Sequence, residues 1–430
     1  MLLLLATAAI LLAALSVERI RLDRSRSSVP LRIAVTGTRG KTTVVRLLAS
    51  VLREDGRAVL AKTTGSEPCL VLPDGSVERI RRRGPASILE QKALLHRAAR
   101  LRADAVVAEV MSIHAENHAV EGTRILVPHL VLATNFLVDH TEAQGNTRGE
   151  VGAALALAVP EGATVLVPEG ACPASFRSAV EAAGGTLVEV PAGTGVAVPV
   201  GRAGEGAPAP FPPFPVNLDL VVAAARRLGV GEEAIRRGIA SARHDVGALG
   251  VWKAPGQAGA ERGAAAPPVH LVNAFAANDP ESTMRVYDEV MERLGSPRGA
   301  VPDSGPMRCV GLLSLRADRG DRTLQWADAL ANGLLDRFDA LLVTGMHAAA
   351  LERRVRQARG RMPGRTRTAG SGPPPIRVLR RGSAERLTRA ALAELGASGG
   401  VVFGFGNIGG LGTKLVEHWS SNEEAVIHGD

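Results

Sequence analysis

The sequence predicts an α/β protein, and three observations carry that expectation. A β-branched run, Arg32-Ile33-Ala34-Val35-Thr36, enters a glycine-broken turn, and Val44, Leu47, Leu48, Val51 and Leu52 follow at helical spacing. Short apolar runs that read as buried strands recur at residues 58–61, 105–108 and 130–133, separated by helical patterns. The same alternation starts afresh at residues 269–272 and continues at 309–315, 340–344 and 401–403. A chain of 430 residues accommodates two or three such domains with a large core.

Composition narrows the class. With 46% hydrophobic and 22% charged residues the chain is globular, while 48 Gly, 26 Pro and only 3% aromatics predict long loops and a core of Ala, Val and Leu. A net charge of +8 and a pI near 10.2 favour a polyanionic partner, whether nucleotide, acidic polymer, nucleic acid or anionic lipid. Cys69, Cys172 and Cys309 are odd in number and widely spaced, which excludes a disulfide framework or zinc motif and fits a reducing compartment.

Met1 to Val17 carries no charged side chain. As a helix it measures about 25 Å, short for a hydrocarbon core of about 30 Å but workable with snorkelling flanks. Residues 1–18 are therefore expected to be a single-pass membrane anchor; a buried helix of a soluble protein is the alternative. A signal peptide is disfavoured, since there is no basic segment before the run and no small-x-small site after it. Arg19, Arg21, Arg24 and Arg26 outweigh Glu18 and Asp23, so the positive-inside rule puts the remainder in the cytoplasm, with ATP.

The turn Gly37-Thr38-Arg39-Gly40-Lys41-Thr42-Thr43 has the parts of a triphosphate cradle. Its glycines let backbone N–H groups point inward, Lys41 reaches phosphate oxygens, and the Thr42 hydroxyl is placed to ligate Mg²⁺. It departs from G-x-x-x-x-G-K-[ST], because Val35 stands where the first glycine belongs. A second polar turn, Lys62-Thr63-Thr64-Gly65-Ser66-Glu67, is expected to face the same crevice, since ligands in such sheets lie at the carboxyl ends of strands. The arginines at 79, 81, 82 and 83 read first as a solvated face, with substrate contact as the rival. Residues 88–101 read as an amphipathic helix carrying Glu90, Gln91 and Lys92.

Glu109 ends an apolar strand, where phosphoryl-transfer enzymes hold an acidic metal partner, and it is a Mg²⁺ candidate beside Thr42. Asp139-His140 follows another buried strand, which makes His140 the third candidate. Residues 192–215 and 254–268 are loose in composition, and the second marks the entry to a C-terminal domain. Domains are expected at 30–250 and 268–430. In the latter, Asn273, Asn278 and Asp279 follow one strand, and Arg316, Asp318 and Arg319 another. Gly404-Phe405-Gly406-Asn407-Ile408-Gly409 literally matches a dinucleotide fingerprint, but only about twenty residues follow, too few to supply a ribose-binding acid, so it is a tight strand-to-helix turn.

Taken in order, GTRGKTT, AKTTGSE, EQKALL, AVVAEVMS, TNFLVDH, LVNAFAANDPEST, SLRADRGDRT and FGFGNIGG resemble the ATP-dependent ligase subunit of poly-γ-glutamate synthase, the PgsB or CapB family of the Mur-ligase superfamily. The likeness runs from about residue 19 to 417, and VNAFAAND and RADRGDRT are its specific parts. It implies a Mur-ligase-like central P-loop ATPase domain with a parallel sheet, then a Rossmann-like domain. It implies that ATP and Mg²⁺ convert a glutamate γ-carboxylate to an acyl phosphate that the next amine attacks. Lys41, Glu109 and His140 would be catalytic, with Thr42, Glu109 and His140 on the metal. Asn273, Asn278, Asp279, Arg316, Asp318 and Arg319 would join residues 37–43 in serving the nucleotide. The implied partners are glutamate, the growing polymer, the membrane and other membrane subunits, with self-association left open and no nucleic acid. Where the family tends to carry an arginine, this chain has Gly250, and the replacing cation is not evident. Two other classes fit the cradle: a cytosolic ligase of folylpolyglutamate or Mur type, and a membrane-tethered NTPase switch.

Overall fold

The computed structural model describes residues 1–65, 67–82, 84–195, 214–243, 245, 247–254, 268–295, 307–316, 320–360, 373–380 and 382–421. Backbone contacts divide it into a first unit ending at Asp245 and a second beginning at Val246. Among the sequence-based candidates, Asp318 and Arg319 lie outside the described residues, as do Ser66 and Arg83.

In the first unit α1 (Leu2–Ser27) is one unbroken helix that continues well past the apolar run. Leu2 to Ile20 are exposed, and Leu22 is the first residue to be buried, against Leu95 and Ile125. The sheet follows: β1 (Leu31–Thr36), α2 (Lys41–Glu54), β2 (Val59–Thr63), β3 (Cys69–Val71), β4 (Val77–Arg79), α3 (Leu89–Leu101), β5 (Ala105–Glu109), β6 (Leu130–Ala133), β7 (Thr164–Pro168) and β8 (Thr186–Val190). Its order is β4-β3-β2-β5-β1-β6-β7-β8, parallel except for β3 and β4. Near-continuous Val, Leu and Ala in β1, β5 and β6 reflect burial on both faces, one under α2 and the helices Pro215–Arg227 and Glu232–Ala240.

Register does most to assemble the site. Val35 of β1 lies opposite Glu109 of β5 and Leu132 of β6, and Thr36 lies opposite Ala133. Three parallel strands thus end together, and the loops leaving them must converge.

The second unit comprises β9 (Gly250–Ala254), β10 (Val269–Ala274), β11 (Cys309–Ser314), β12 (Ala340–Thr344), β13 (Ile376–Leu379) and β14 (Gly400–Phe405), in the order β13-β12-β11-β14-β10-β9. Only β9 is antiparallel, and Gly250 begins it. Helices Ala384–Leu395 and Leu411–Ser421 cover one face. On the other, Tyr287 and Trp326 meet the aromatic cluster Phe338, Phe403 and Phe405. Helices on both faces of a parallel sheet make a doubly wound, Rossmann-like layer.

Candidate active site

Gly37 and Gly40 adopt φ of 114° and 82°, the left-handed region glycine tolerates, so β1 turns sharply into α2. Space demands glycine as well: a Cβ on Gly37 would collide with Thr134 Oγ1, and one on Gly40 would sit 2.8 Å from Asn217 Oδ1. The loop is braced from β6. Asn135 accepts from Arg39 N at 3.2 Å and donates to Arg39 O at 2.9 Å, its carbonyl accepts from Thr38 N, and Thr38 Oγ1 donates to Leu137 O at 2.7 Å. The first N–H groups of α2 are left to face the crevice, as at any helix start.

Lys41 is the first residue of α2 and half-buried. Its Nζ folds over the loop and donates to Gly37 O at 2.6 Å and Thr38 O at 3.2 Å. Desolvation lowers the pKa of this ammonium, while the charges of Glu109, Asp139 and Glu121 oppose the shift.

Thr42 and Glu109 are brought together as the strand ends require. Thr42 Oγ1 donates to Glu109 Oε2 at 2.9 Å, and the same oxygen accepts from Thr64 N at 2.8 Å, which brings the second polar turn into the crevice. Gly65 packs so closely on Thr42 that a Cβ there would strike its hydroxyl. A hydroxyl and a carboxylate at the mouth of an N–H cradle suit a hard divalent ion that completes its shell with phosphate and water. Among the described residues no group of three or more His, Cys, Asp or Glu forms a self-sufficient metal cage.

Glu109 is fixed by residues that sequence reasoning missed. Gln91 on α3 is fully buried, and its Nε2 donates to Glu109 O at 3.0 Å and Glu121 Oε1 at 2.6 Å. Glu121, also fully buried, belongs to a π-helical turn (Val120–Leu126). It accepts from Met111 N at 3.0 Å and from Ser112 N at 2.9 Å and Oγ. Beside this network Lys62 is wholly buried and paired with Glu90 at 3.2 Å; burial lowers its pKa and Glu90 counters.

His140 stands at φ 49°, with Nε2 3.8 Å from Asp139 Oδ2, and Asp139 pairs with Arg39 of the loop at 3.2 Å. The Asp-His pair therefore reaches the cradle through Arg39, whereas Thr42 and Glu109 meet each other directly. Nearby, Gln144 donates to Ile113 O and to Nε2 of the buried His118, both at 3.3 Å. Burial, with Lys41 and His114 adding to it, drops the His118 pKa from 6.5 to about 4.

In the second unit the candidates separate. Asn273 lies inside β10 and is buried, donating to Ala248 O at 2.9 Å and accepting from Phe275 N. Asp279 accepts from Ser282 N at 2.8 Å at the start of the helix Pro280–Gly295. Asn278 and Arg316 instead line a cavity of about 60 Å³ with Ser314, Arg322, Thr323 and Asn407. This is a switch point, where adjacent β11 and β14 send their helices to opposite faces. Arg322, which donates to Asn278 O at 3.0 Å, and Asn407 were not singled out, although both stand in motifs that the sequence displays.

Two family models match the chain: the Mur ligase middle domain over residues 35–157, and the poly-gamma-glutamate synthase CapB C-terminal domain over residues 261–422. The C-terminal part of the chain is thus similar to CapB proteins, and residues 35–157 to Mur ligases. The chain is 28% identical over 303 residues to the capsule biosynthesis protein CapB of Bacillus anthracis, a match covering 70% of this chain and 60% of that protein. To the PGA synthase CapB of Bacillus subtilis (strain 168) it is 27% identical over 331 residues, covering 76% of this chain and 78% of that one. Among solved structures, a bifunctional folylpolyglutamate synthase/dihydrofolate synthase superposes with a TM-score of 0.61 at 16% identity, covering 94% of this chain and 92% of that one. At that identity the likeness speaks for the fold alone, a Mur-ligase fold.

Proposed function

We propose that this chain is an ATP-dependent amide ligase of poly-γ-glutamate synthesis. The observation that carries this is the Thr42–Glu109 pair at the mouth of a glycine-shaped cradle, in a chain whose last domain matches the CapB model. The γ-phosphoryl group passes to an oxygen of a glutamate γ-carboxylate, releasing ADP. The amine of the next glutamate then attacks the acyl carbon; the C–N bond forms, the C–O bond to phosphate breaks, and the amine proton leaves to solvent or a base. The α2 N–H groups and Lys41 would hold phosphate oxygens and spread the charge that develops on them. Thr42, Glu109 and His140 would hold Mg²⁺, which supplies Lewis acidity toward phosphate oxygens when bound. Asn278 and Arg316 would serve the nucleotide from the second unit, and Asp279, Asp318 and Arg319 are proposed for the same role, with Asn273 supporting the strand end through the backbone.

The solved relative was crystallised with Mn, AMPPNP and L-glutamate, the ligand classes expected here. α1 is long and apolar enough to cross a membrane, and its exposed half favours a membrane-bound capsule enzyme over a cytosolic folylpolyglutamate or Mur-type ligase. Its flanking arginines favour a single pass with both units cytoplasmic, beside other membrane subunits. Membranes containing the protein should form polymer that depends on both ATP and glutamate. Ligation of glutamate to a folate or peptidoglycan precursor, without polymer, would favour the cytosolic class instead.

A further inference from the structure

The arginine run at residues 79–82, set aside above as a solvated face, acquires a place once α3 is used as a ruler. Along α1, Glu18 pairs with Lys92 at 2.5 Å and Ser25 Oγ meets His96 Nδ1 at 2.8 Å. Seven residues of α1, about 10 Å, thus run alongside four residues of α3 in the same direction. The N-terminal end of α3 therefore lies level with Glu18, where the apolar run stops. The partners of β4 and its outgoing loop run the other way along α3. Glu78 pairs with Arg97 at 2.6 Å, whereas Arg82 pairs with Glu90 at 2.7 Å. From Glu78 to Arg82 the chain climbs toward the α3 N-terminus, to the level of Glu18.

Low on this climb, next to Glu78, Arg79 pairs with Glu67 at 2.8 Å while its side chain stays 70% exposed; nearer the upper level Arg81 is exposed and pairs with no carboxylate among the described residues. Leu89, at the tip of α3, is 56% exposed. Exposed guanidiniums leading up to an exposed leucine that is level with the end of an apolar helix match the border between headgroups and hydrocarbon. We propose that Arg79, Arg81 and Leu89 form a second membrane contact, in which the arginines bind anionic lipid headgroups and Leu89 enters the interface. This rests on α1 being a span.

The test uses the full chain bearing Leu89→Trp, reconstituted in vesicles of phosphatidylcholine alone or mixed with phosphatidylglycerol, with headgroup-spin-labelled lipid as quencher. The native tryptophans, Trp252, Trp326 and Trp419, are buried in the second unit and are subtracted with unmodified protein. The expected result is quenching of the new indole that is stronger with phosphatidylglycerol, and lost on adding Arg79→Glu and Arg81→Glu or at about 1 M salt, where screening acts within about 3 Å. Equal quenching in both vesicles, or no response to charge reversal, overturns the proposal. A response of the indole to poly-γ-glutamate in neutral vesicles but none to phosphatidylglycerol overturns it too, assigning the arginines to the polymer. Flotation of unmodified protein reads the span separately; failure to float with either vesicle removes the span, and this contact with it.

Discussion

Thr42 Oγ1 donates to Glu109 Oε2 across 2.9 Å, although the two residues are 67 positions apart in sequence. The contact exists because β1 and β5 run parallel in a register that sets Val35 opposite Glu109, and Thr42 opens the helix after β1. Glu109→Gln keeps an acceptor for Thr42 and for Thr64 N but removes the charge. Turnover is expected to fall about 10²-fold or more with the fold intact. Circular dichroism and a ligation assay check this, and unchanged turnover would remove Glu109 from the reaction.

Lys41→Ala deletes two hydrogen bonds to the loop as well as the phosphate ligand. Ligation should drop by about 10²- to 10³-fold, while the melting temperature falls only slightly. Retained ligase turnover in a folded Lys41→Ala protein would sink the assignment.

Acid should weaken the first unit through His118. Its folded pKa of about 4 lies below the ordinary 6.5, so the unfolded chain binds the proton more tightly. Stability is therefore full above pH 6.5 and declines as pH falls toward 4, by about 2 kcal/mol at pH 5. Calorimetry at pH 7 and 5 should show a smaller loss in His118→Gln than in the parent; an equal loss would assign the acid sensitivity elsewhere.

Deleting residues 1–17 should release the protein from membranes and leave nucleotide binding unchanged. The deletion spares Leu22 and the Glu18–Lys92 pair that hold α1 to α3. Sedimentation with vesicles and a nucleotide titration measure the two outcomes; a deletion that still pellets points to another membrane contact, the surface of Arg79 and Arg81 first among them.

Arg316→Ala and Asp279→Ala should each reduce ligation strongly without unfolding the first unit. If both variants ligate glutamate at the parent rate, the second unit takes no part in the reaction, and a P-loop NTPase with an unrelated C-terminal module becomes the better account.

The strands and the cradle were legible because their signals are local: β-branched runs, glycines at left-handed positions, and a carboxylate ending a buried strand. Gln91 was not. It sits between Glu90 and Lys92 and looks like the middle of a polar face, yet its partners, Glu109 and Glu121, lie 18 and 30 residues away. Its own spacing puts it on the buried face of Leu94, Leu95 and Ala98, but spacing alone does not say which carboxylate and carbonyl it meets there. The π-helical turn that carries Glu121 leaves no periodicity to detect. Asn273 shows the limit in another way: a polar residue at a strand end can face the crevice or the neighbouring backbone, and its bond to Ala248, near the start of the antiparallel β9, was not legible in the sequence.

The brace from Asn135 to Thr38 and Arg39 has a consequence for how defects would show themselves. Because the loop is held in shape by β6 rather than by its ligand, the entropy lost in ordering it belongs to folding and not to nucleotide capture. Damage at residues 134–137, which touch the loop from behind, would therefore look like a loss of affinity for nucleotide. A fault in folding would pass for a fault in recognition.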